Sequence, residues 1–311
     1  PPTAPRRVMF VDTRTESHGF LGTEEVLAIQ GPIIACIGGS TTAGIEVLAD
    51  QTYPARLDTL MKPMGVRTVN AGVGGYRSIH ELLNFRQHVC PLKPKAVIIF
   101  SGYNDWEDYA HNLWKPNDPF TNCLSSSMPS NTVEDVLLWS ALYYVGKRLY
   151  YRALRSVRTE TPDRKRIDDL DQSLLNPVWL PEWETNIGAI MEECASADIN
   201  CYLLGHASPI YDNAPEEAKV LADQELNMAG RWDIYARYLS MIYDAGQDLC
   251  EKYGAHFIDA GMKMDLDTKN DDGSIDFRKR FLYFVDRCHF SESGNQVLAE
   301  WIFSEIRNLE K

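Results

Sequence analysis

Short apolar runs alternate with longer stretches of helical period along most of this chain. Five runs have the length and apolar content of buried strands: Ile33–Ile37, Arg67–Asn70, Ala96–Ser101, Asn200–Gly205 and His256–Asp259. Between them, apolar residues recur at helical spacing in Tyr53–Leu60, Ile79–His88, Pro181–Ala197, Asp233–Tyr253 and Ser293–Leu309. Such alternation is typical of a parallel sheet covered on both faces. We therefore predict an α/β protein, a three-layer α/β/α sandwich of about five parallel strands in a flavodoxin-like order.

One interval is too long for a simple crossover. A connection between parallel strands needs about a dozen residues or more, whereas residues 102–199 separate the third predicted strand from the fourth. We expect a cap-like insertion over 106–183, inside a single domain that spans 1–311. Its aromatic residues either cover the strand ends, where they contact a sugar or an acyl chain, or pack a small core of their own. They include Trp106, Tyr109, Trp114, Trp139, Tyr143, Tyr144, Tyr150, Tyr151, Trp179 and Trp183.

Composition and charge exclude several classes of partner. The 311 residues include 31 Lys and Arg against 44 Asp and Glu, a net charge of -13 that repels phosphate backbones. We expect no nucleic-acid partner. No apolar run reaches the ~18 residues that a membrane span requires, so none is predicted. The basic stretch Leu142–Arg158 is either a membrane-surface contact or a solvated helix face, and the acidic balance of the chain favours the second interpretation.

The cysteines bear on the cellular compartment. Seven are scattered along the chain without CxxC pairs, and several lie in apolar runs, which favours unpaired thiols in a reducing, cytoplasmic setting. The sequence opens with Pro-Pro-Thr rather than Met, so the alternative is a secreted protein whose leader has been removed. The oligomeric state is left open.

Four polar segments follow predicted strands or precede the last helix, where an open parallel sheet collects functional groups. They are Gly38–Thr42, Asn70–Gly75, Gly102–Asp105 and Asp286–His289. The first offers a serine hydroxyl, and the second and third offer backbone and amide donors. In the fourth, an Asp three residues before a His is close enough to orient the imidazole. Together they supply a nucleophile, a base, an orienting acid and hydrogen-bond donors for an oxyanion.

The order Gly-Gly-Ser-Thr, Asn-x-Gly-x-x-Gly, Gly-x-Asn-Asp and Asp-x-x-His resembles the four sequence blocks of the SGNH hydrolases, also called GDSL lipases and esterases. The resemblance implies that Ser40 is the nucleophile, His289 the general base and Asp286 its partner. It further implies that the backbone N–H groups of Ser40 and Gly75 and the side chain of Asn104 form the oxyanion hole.

Two positions depart from the commonest family pattern, and one residue has a simpler interpretation. Gly39 and Thr41 stand where the family often has Asp and Leu, which leaves the subfamily open. Taken alone, Ser40 would be interpreted as a helix cap, the default role of a Ser that follows a strand. Outside the four blocks, His206 follows the fourth predicted strand and is a candidate for a role in the pocket.

Neither a cofactor nor a metal ion is expected. A phosphate loop needs Lys and then Ser or Thr after its last glycine, but Ile45 and Glu46 follow Gly44. Arg77 occupies the place of the third glycine of a dinucleotide fingerprint. The acidic loop around Gly273 lacks the first and last ligands of a calcium-binding EF-hand loop.

The expected activity is hydrolysis of a carboxylic ester, of esterase, deacetylase or lipase type, through an acyl group on Ser40. The substrate is a small-molecule, carbohydrate or lipid acyl ester. One alternative is an O-acyltransferase that uses the same acyl-enzyme. Another is a non-catalytic binding module on the same fold.

Overall fold

A computed structural model describes residues 20–21, 31–110, 171–211, 213–226 and 231–309. Within them one parallel sheet has the strand order β2-β1-β3-β4-β5. Its strands are β1 (Ile33–Gly38), β2 (Arg67–Gly72), β3 (Ala96–Phe100), β4 (Asn200–Leu204) and β5 (His256–Ile258). This is the flavodoxin-like order, so the predicted fold is confirmed.

Helices cover both sides of the sheet. They are α1 (Ser40–Ala43), α2 (Tyr53–Met61), α3 (Ser78–Asn84), α4 (Tyr103–Ala110), α5 (Trp179–Ser196), α6 (Glu216–Glu225), α7 (Trp232–Tyr253), α8 (Ala260–Asp267), α9 (Phe277–Phe281) and α10 (Glu292–Leu309). Helix α2 packs against α10. Helix α5 packs against α3, α4 and α7. The five predicted helices are α2, α3, α5, α7 and α10, although α3 gives way to a π-helical turn at Phe85–Val89.

The central strand explains the apolar runs in the sequence. Every residue of β1 is buried, and β1 lies between β2 and β3. A strand that is covered on both faces has no solvent side, so polar residues do not alternate with apolar ones. Its carboxyl end leads directly into the turn that carries Ser40.

Both ends of the expected insertion belong to the main core. Trp106 on α4 and Trp179 and Trp183 on α5 are fully buried in it. Trp106 stacks on Tyr238 of α7 with ring centroids 4.2 Å apart. Residues 111–170, and with them most of the expected cap, lie outside the described residues, so the cap stays a prediction.

Two predictions about the chain as a whole concern membranes and cysteines. Among the described helices, none is long and apolar enough to cross a membrane. Six cysteines lie in the described residues and all are free thiols: Cys36, Cys194, Cys201 and Cys250 are buried, and Cys90 and Cys288 are half-buried. Cys123 lies outside the described residues.

Candidate active site

The turn after β1 presents Ser40 as the first residue of the short helix α1. Gly39 is the residue that precedes the helix, and no side chain caps it, so the hydroxyl of Ser40 is not used as a cap. The backbone N–H of Ser40 has no carbonyl four residues earlier in the helix to bond. Within the helix, the N–H of Ser40 is therefore left without an acceptor.

The loop between α9 and α10 brings Asp286 back onto His289. Phe284 and Phe290 pair as an antiparallel bridge, and the N–H of Val285 donates to the carbonyl of His289 at 3.0 Å. Oδ1 of Asp286 accepts the backbone N–H groups of Cys288 at 3.0 Å and of His289 at 2.8 Å. These bonds close the loop and fix the carboxylate beside the imidazole.

Ser40, His289 and Asp286 form one hydrogen-bonded chain. Nε2 of His289 lies 2.8 Å from Oγ of Ser40, although the two residues are 249 positions apart in sequence. Nδ1 lies 2.9 Å from Oδ2 of Asp286 and 3.0 Å from Oδ1. This arrangement leaves the Nε2 lone pair directed at the serine hydroxyl when Nδ1 carries the proton.

The electrostatics of the group stabilise a protonated imidazole. Burial raises the pKa of Asp286, but its hydrogen bond to His289, the charge of that ring and two backbone N–H groups outweigh it and hold the pKa below its usual range. Burial lowers the pKa of His289, while the side chains of Cys288 and Asp286 raise it to a net value above the ordinary 6.5. Because burial also raises the pKa of the Cys288 thiol, the Asp286 carboxylate is the charge that stabilises the imidazolium near neutral pH.

Asn104 and Gly75 are the expected oxyanion donors besides Ser40. Asn104 is the second residue of α4, and its Nδ2 donates to the carbonyl of Tyr76 at 2.8 Å, which leaves its second N–H for another acceptor. Gly75 has a φ of 80°, a conformation that favours glycine. A Cβ at Gly39 would lie 2.8 Å from Nδ2 of Asn104, so the turn and the amide are in close contact.

An open cleft lies in front of Ser40. Its wall includes Ser40, Asn104, Tyr76, Tyr103, Tyr235 and Arg287. The last four of these residues were not among the expected site residues. Tyr235 comes from α7, far along the chain, and Arg287 is one of the two unspecified positions in Asp-x-x-His, so neither shows a motif signal.

His206 also lines this cleft, as expected, but its ring is engaged. Nε2 lies 2.8 Å from the carbonyl oxygen of Ser101. Burial lowers the pKa of this imidazole to about 4, although the bond to Ser101 opposes the shift. At neutral pH His206 is therefore an uncharged donor to the backbone at the end of β3.

Asp105 anchors the helix that carries Asn104. Both of its carboxylate oxygens accept the backbone N–H of Ser78, at 3.1 and 3.0 Å, and Oδ1 also accepts the hydroxyl of Ser78 at 2.5 Å. Burial raises the pKa of Asp105 to about 7, with Ser78 and Arg77 acting in the opposite direction. The contact joins the starts of α3 and α4 behind the site.

In the described part of the chain, one cluster has three potential metal ligands: Asp286, Cys288 and His289, whose ligand atoms lie within 4.8 Å of one another. The imidazole is already bonded to Asp286 through Nδ1 and to Ser40 through Nε2. The cluster therefore has the arrangement of a nucleophile, base and acid group.

Comparisons with known proteins bear on the family and the fold of this chain. Residues 36–297 match the model of the GDSL-like lipase/acylhydrolase family. Among solved structures, the acetylxylan esterase Axe2 from Geobacillus stearothermophilus is 16% identical with a TM-score of 0.50, over 89% of this chain and 94% of that one. A GDSL-like lipase from Bacteroides thetaiotaomicron is 13% identical with a TM-score of 0.47, over 91% of this chain and 94% of that one. A sequence search among curated proteins gave no significant match.

Proposed function

The chain belongs to the GDSL-like lipase/acylhydrolase family and is a carboxylic ester hydrolase of the SGNH type; from this premise we propose that it cleaves esters in two steps through an acyl group on Ser40. The observation that carries the proposal is the 2.8 Å contact between Nε2 of His289 and Oγ of Ser40. A general base must lie within hydrogen-bond reach of the proton that it removes, and this contact meets that requirement.

In the first step, His289 removes the hydroxyl proton of Ser40 while the oxygen attacks the carbonyl carbon of the ester. Asp286 holds the proton on Nδ1 and stabilises the imidazolium that forms. The N–H groups of Ser40, Gly75 and Asn104 donate to the negative oxygen of the tetrahedral intermediate. The imidazolium then protonates the departing alcohol, which leaves the acyl group bound to Ser40.

In the second step, water enters the position of the alcohol. His289 removes a proton from the water as the oxygen attacks the acyl carbon, and a second tetrahedral intermediate forms. Its collapse breaks the bond to Oγ of Ser40, which regains the proton from the imidazolium. The products are a carboxylic acid and the free enzyme, so atoms and charges balance over the two steps.

A serine-directed fluorophosphonate probe and a panel of acyl esters test this proposal. Ser40→Ala should lose both labelling and nearly all turnover, because nucleophile and base act as a unit whose removal costs on the order of 10⁶-fold. Ser196→Ala is the control, since Ser196 is exposed at the end of α5 and its hydroxyl bonds only the carbonyl of Glu192. The panel should vary acyl length and alcohol independently. Turnover by Ser40→Ala at the parental rate would end the proposal.

A further inference from the structure

A buried ion pair joins the loop that carries His289 to helix α4, which carries Asn104. Nη2 of Arg287 lies 3.0 Å from Oε1 and 3.0 Å from Oε2 of Glu107, and the two side chains are 18% and 13% exposed. Arg287 stands between Asp286 and His289 in the chain. Glu107 is on α4, three residues after Asn104, so the two side chains are neighbours about one turn apart on the helix surface.

Two tyrosines complete the network. Tyr103 donates its hydroxyl to Oε1 of Glu107 at 2.9 Å and accepts Nε of Arg287 at 2.5 Å. Tyr235 of α7 donates to the same carboxylate oxygen at 2.5 Å. The two phenol rings stack with centroids 6.1 Å apart, and the guanidinium carbon is 5.8 Å from one centroid and 5.9 Å from the other. The carboxylate is therefore held by three donors from three segments of the chain.

The charges in this network are stable near neutral pH. Burial raises the pKa of Glu107, but Arg287 and the hydroxyl donors Tyr235 and Tyr103 outweigh it, so its pKa stays below the usual range. Burial lowers the pKa of Arg287, while the neighbouring tyrosines and Glu107 raise it to a net value above its usual range. A buried ion pair contributes little net stability compared with apolar residues of similar size, because desolvation offsets the attraction. We therefore expect the ion pair of Glu107 and Arg287 to fix the positions of the groups around it rather than to stabilise the fold.

We propose that Glu107 is a positioning residue, which acts through Arg287 to hold the imidazole of His289 and the amide of Asn104 at a fixed separation across the oxyanion. The proposal rests on the proposed function of those two groups. Nη2 of Arg287 contacts both oxygens of the Glu107 carboxylate while Nε of the same rigid plane bonds Tyr103, so the guanidinium is fixed in direction as well as in distance. A rigid link is needed because displacement of a reacting group by about 1 Å can cost about 100-fold in rate.

The contrasting reading is that Arg287 binds the substrate directly. It lines the cleft, and among the described residues no acceptor bonds its Nη1. A substrate contact that acts equally in the ground and transition states changes KM alone, whereas misplaced catalytic groups lower kcat. Steady-state kinetics therefore separate the two roles.

The experiment compares Glu107→Gln and Arg287→Lys with the parent on one saturable ester. Arg287→Lys keeps the charge but loses the planar group that bonds Glu107 and Tyr103 at the same time. Both should lower kcat about 10- to 100-fold with KM within about twofold, as expected for displaced reacting groups. The control is Glu193→Gln, which weakens the exposed contact of Arg86 with Glu193 on α5 and should leave kcat unchanged. Parental kcat in Glu107→Gln, or a change in KM alone, would overturn the proposal.

A second comparison guards against a general structural defect. In the Glu107→Gln background, Asn104→Ala should cost much less than in the parent, because the amide is already displaced and the two effects overlap. Full additivity would overturn the positioning role. If Glu107→Gln fails to fold, the neutral double variant Glu107→Gln/Arg287→Gln replaces it, with the same expected loss of kcat; parental kcat would overturn the proposal. Ser40→Ala in the same assay reports separately on the proposed function.

Discussion

Oδ1 of Asn295 accepts the backbone N–H of Tyr53 at 2.8 Å and so joins the start of α10 to the start of α2. Nδ2 of the same amide donates to the carbonyl of Ser291 at 2.9 Å. Because α2 follows the turn of Ser40 and α10 follows the loop of His289, this buried amide links the segments behind the nucleophile and the base. The contact between Ser40 and His289 is thus accompanied by a buried bond between elements outside the site.

Replacing Asn295 by Ala tests this link. The change leaves the N–H of Tyr53 buried without its acceptor, which costs about 1–3 kcal/mol of unfolding free energy. Urea titration at neutral pH measures the loss. Gln296→Ala is the control on the same helix, because that side chain bonds only Glu300 on the exposed face and its removal should change stability by less than about 0.5 kcal/mol. Equal stability of the two variants would contradict the prediction.

The strands and the order of the site segments could be predicted from sequence because each depends on a local signal. Buried strands such as β1 appear as continuous apolar runs, and each polar segment stands at a strand end or before the last helix. The Glu107–Arg287 pair gave no such signal. Its members are 180 positions apart, and a single charge on a helix is more often a solvated residue. The pair becomes visible only in the structure, where α4 packs against the loop that carries Arg287 and His289.

Gly39→Ala probes the close contact between the nucleophile turn and the oxyanion donor. The added Cβ would stand 2.8 Å from Nδ2 of Asn104 and 3.3 Å from the backbone carbonyl oxygen of Tyr76. The amide is the end of a flexible side chain and can move away, and the carbonyl needs to shift by only a few tenths of an ångström. We expect kcat to fall about 10- to 100-fold, approaching the effect of removing one oxyanion donor, with little change in the thermal midpoint.

The matched control is Gly74→Ala, where the new Cβ meets only Cγ2 of Ile45 at an ordinary 3.7 Å. Its kcat should stay close to that of the parent. Parental activity in Gly39→Ala would show that the amide of Asn104 is not needed at its present position. Activity measurements on both variants with one soluble ester are sufficient.

The rate should depend on the protonation of His289. An imidazolium cannot accept the proton of Ser40, so kcat/KM falls as pH drops below the pKa of His289 and rises above it. Because the Asp286 carboxylate contributes to a pKa above 6.5, the midpoint of the profile should lie above 6.5. A flat profile between pH 5 and 8 would contradict an imidazole base.

Asp286→Asn identifies the cause of that shift. The neutral amide no longer stabilises the imidazolium, so the midpoint of the profile should move to lower pH. The amide also favours the wrong tautomer, which should lower kcat by about 10³- to 10⁴-fold. The measurement is the pH profile of the residual activity, with Ser40→Ala protein as background. An unchanged midpoint would show that Asp286 does not set the pKa of His289.

The uncharged imidazole of His206 should make folding stability depend on pH. Its folded pKa of about 4 lies below the unfolded value of about 6.5, so between these values the unfolded chain binds more protons than the folded one. Its contribution to the unfolding free energy is therefore present above pH 6.5 and is lost as pH falls to 4, by about 3 kcal/mol in total.

His206→Gln keeps an amide donor for the carbonyl of Ser101 but cannot gain this proton. Urea unfolding at pH 7 and pH 4.5 should therefore show a loss on acidification that is about 2–3 kcal/mol smaller in the variant than in the parent. Buried acids such as Asp105, whose pKa is raised to about 7, act in the opposite direction but equally in both proteins, so they cancel in the difference. His88→Gln is the control, because that exposed ring is in water in both states. The same acid sensitivity in His206→Gln and the parent would mean that the buried ring takes up its proton without cost to the fold.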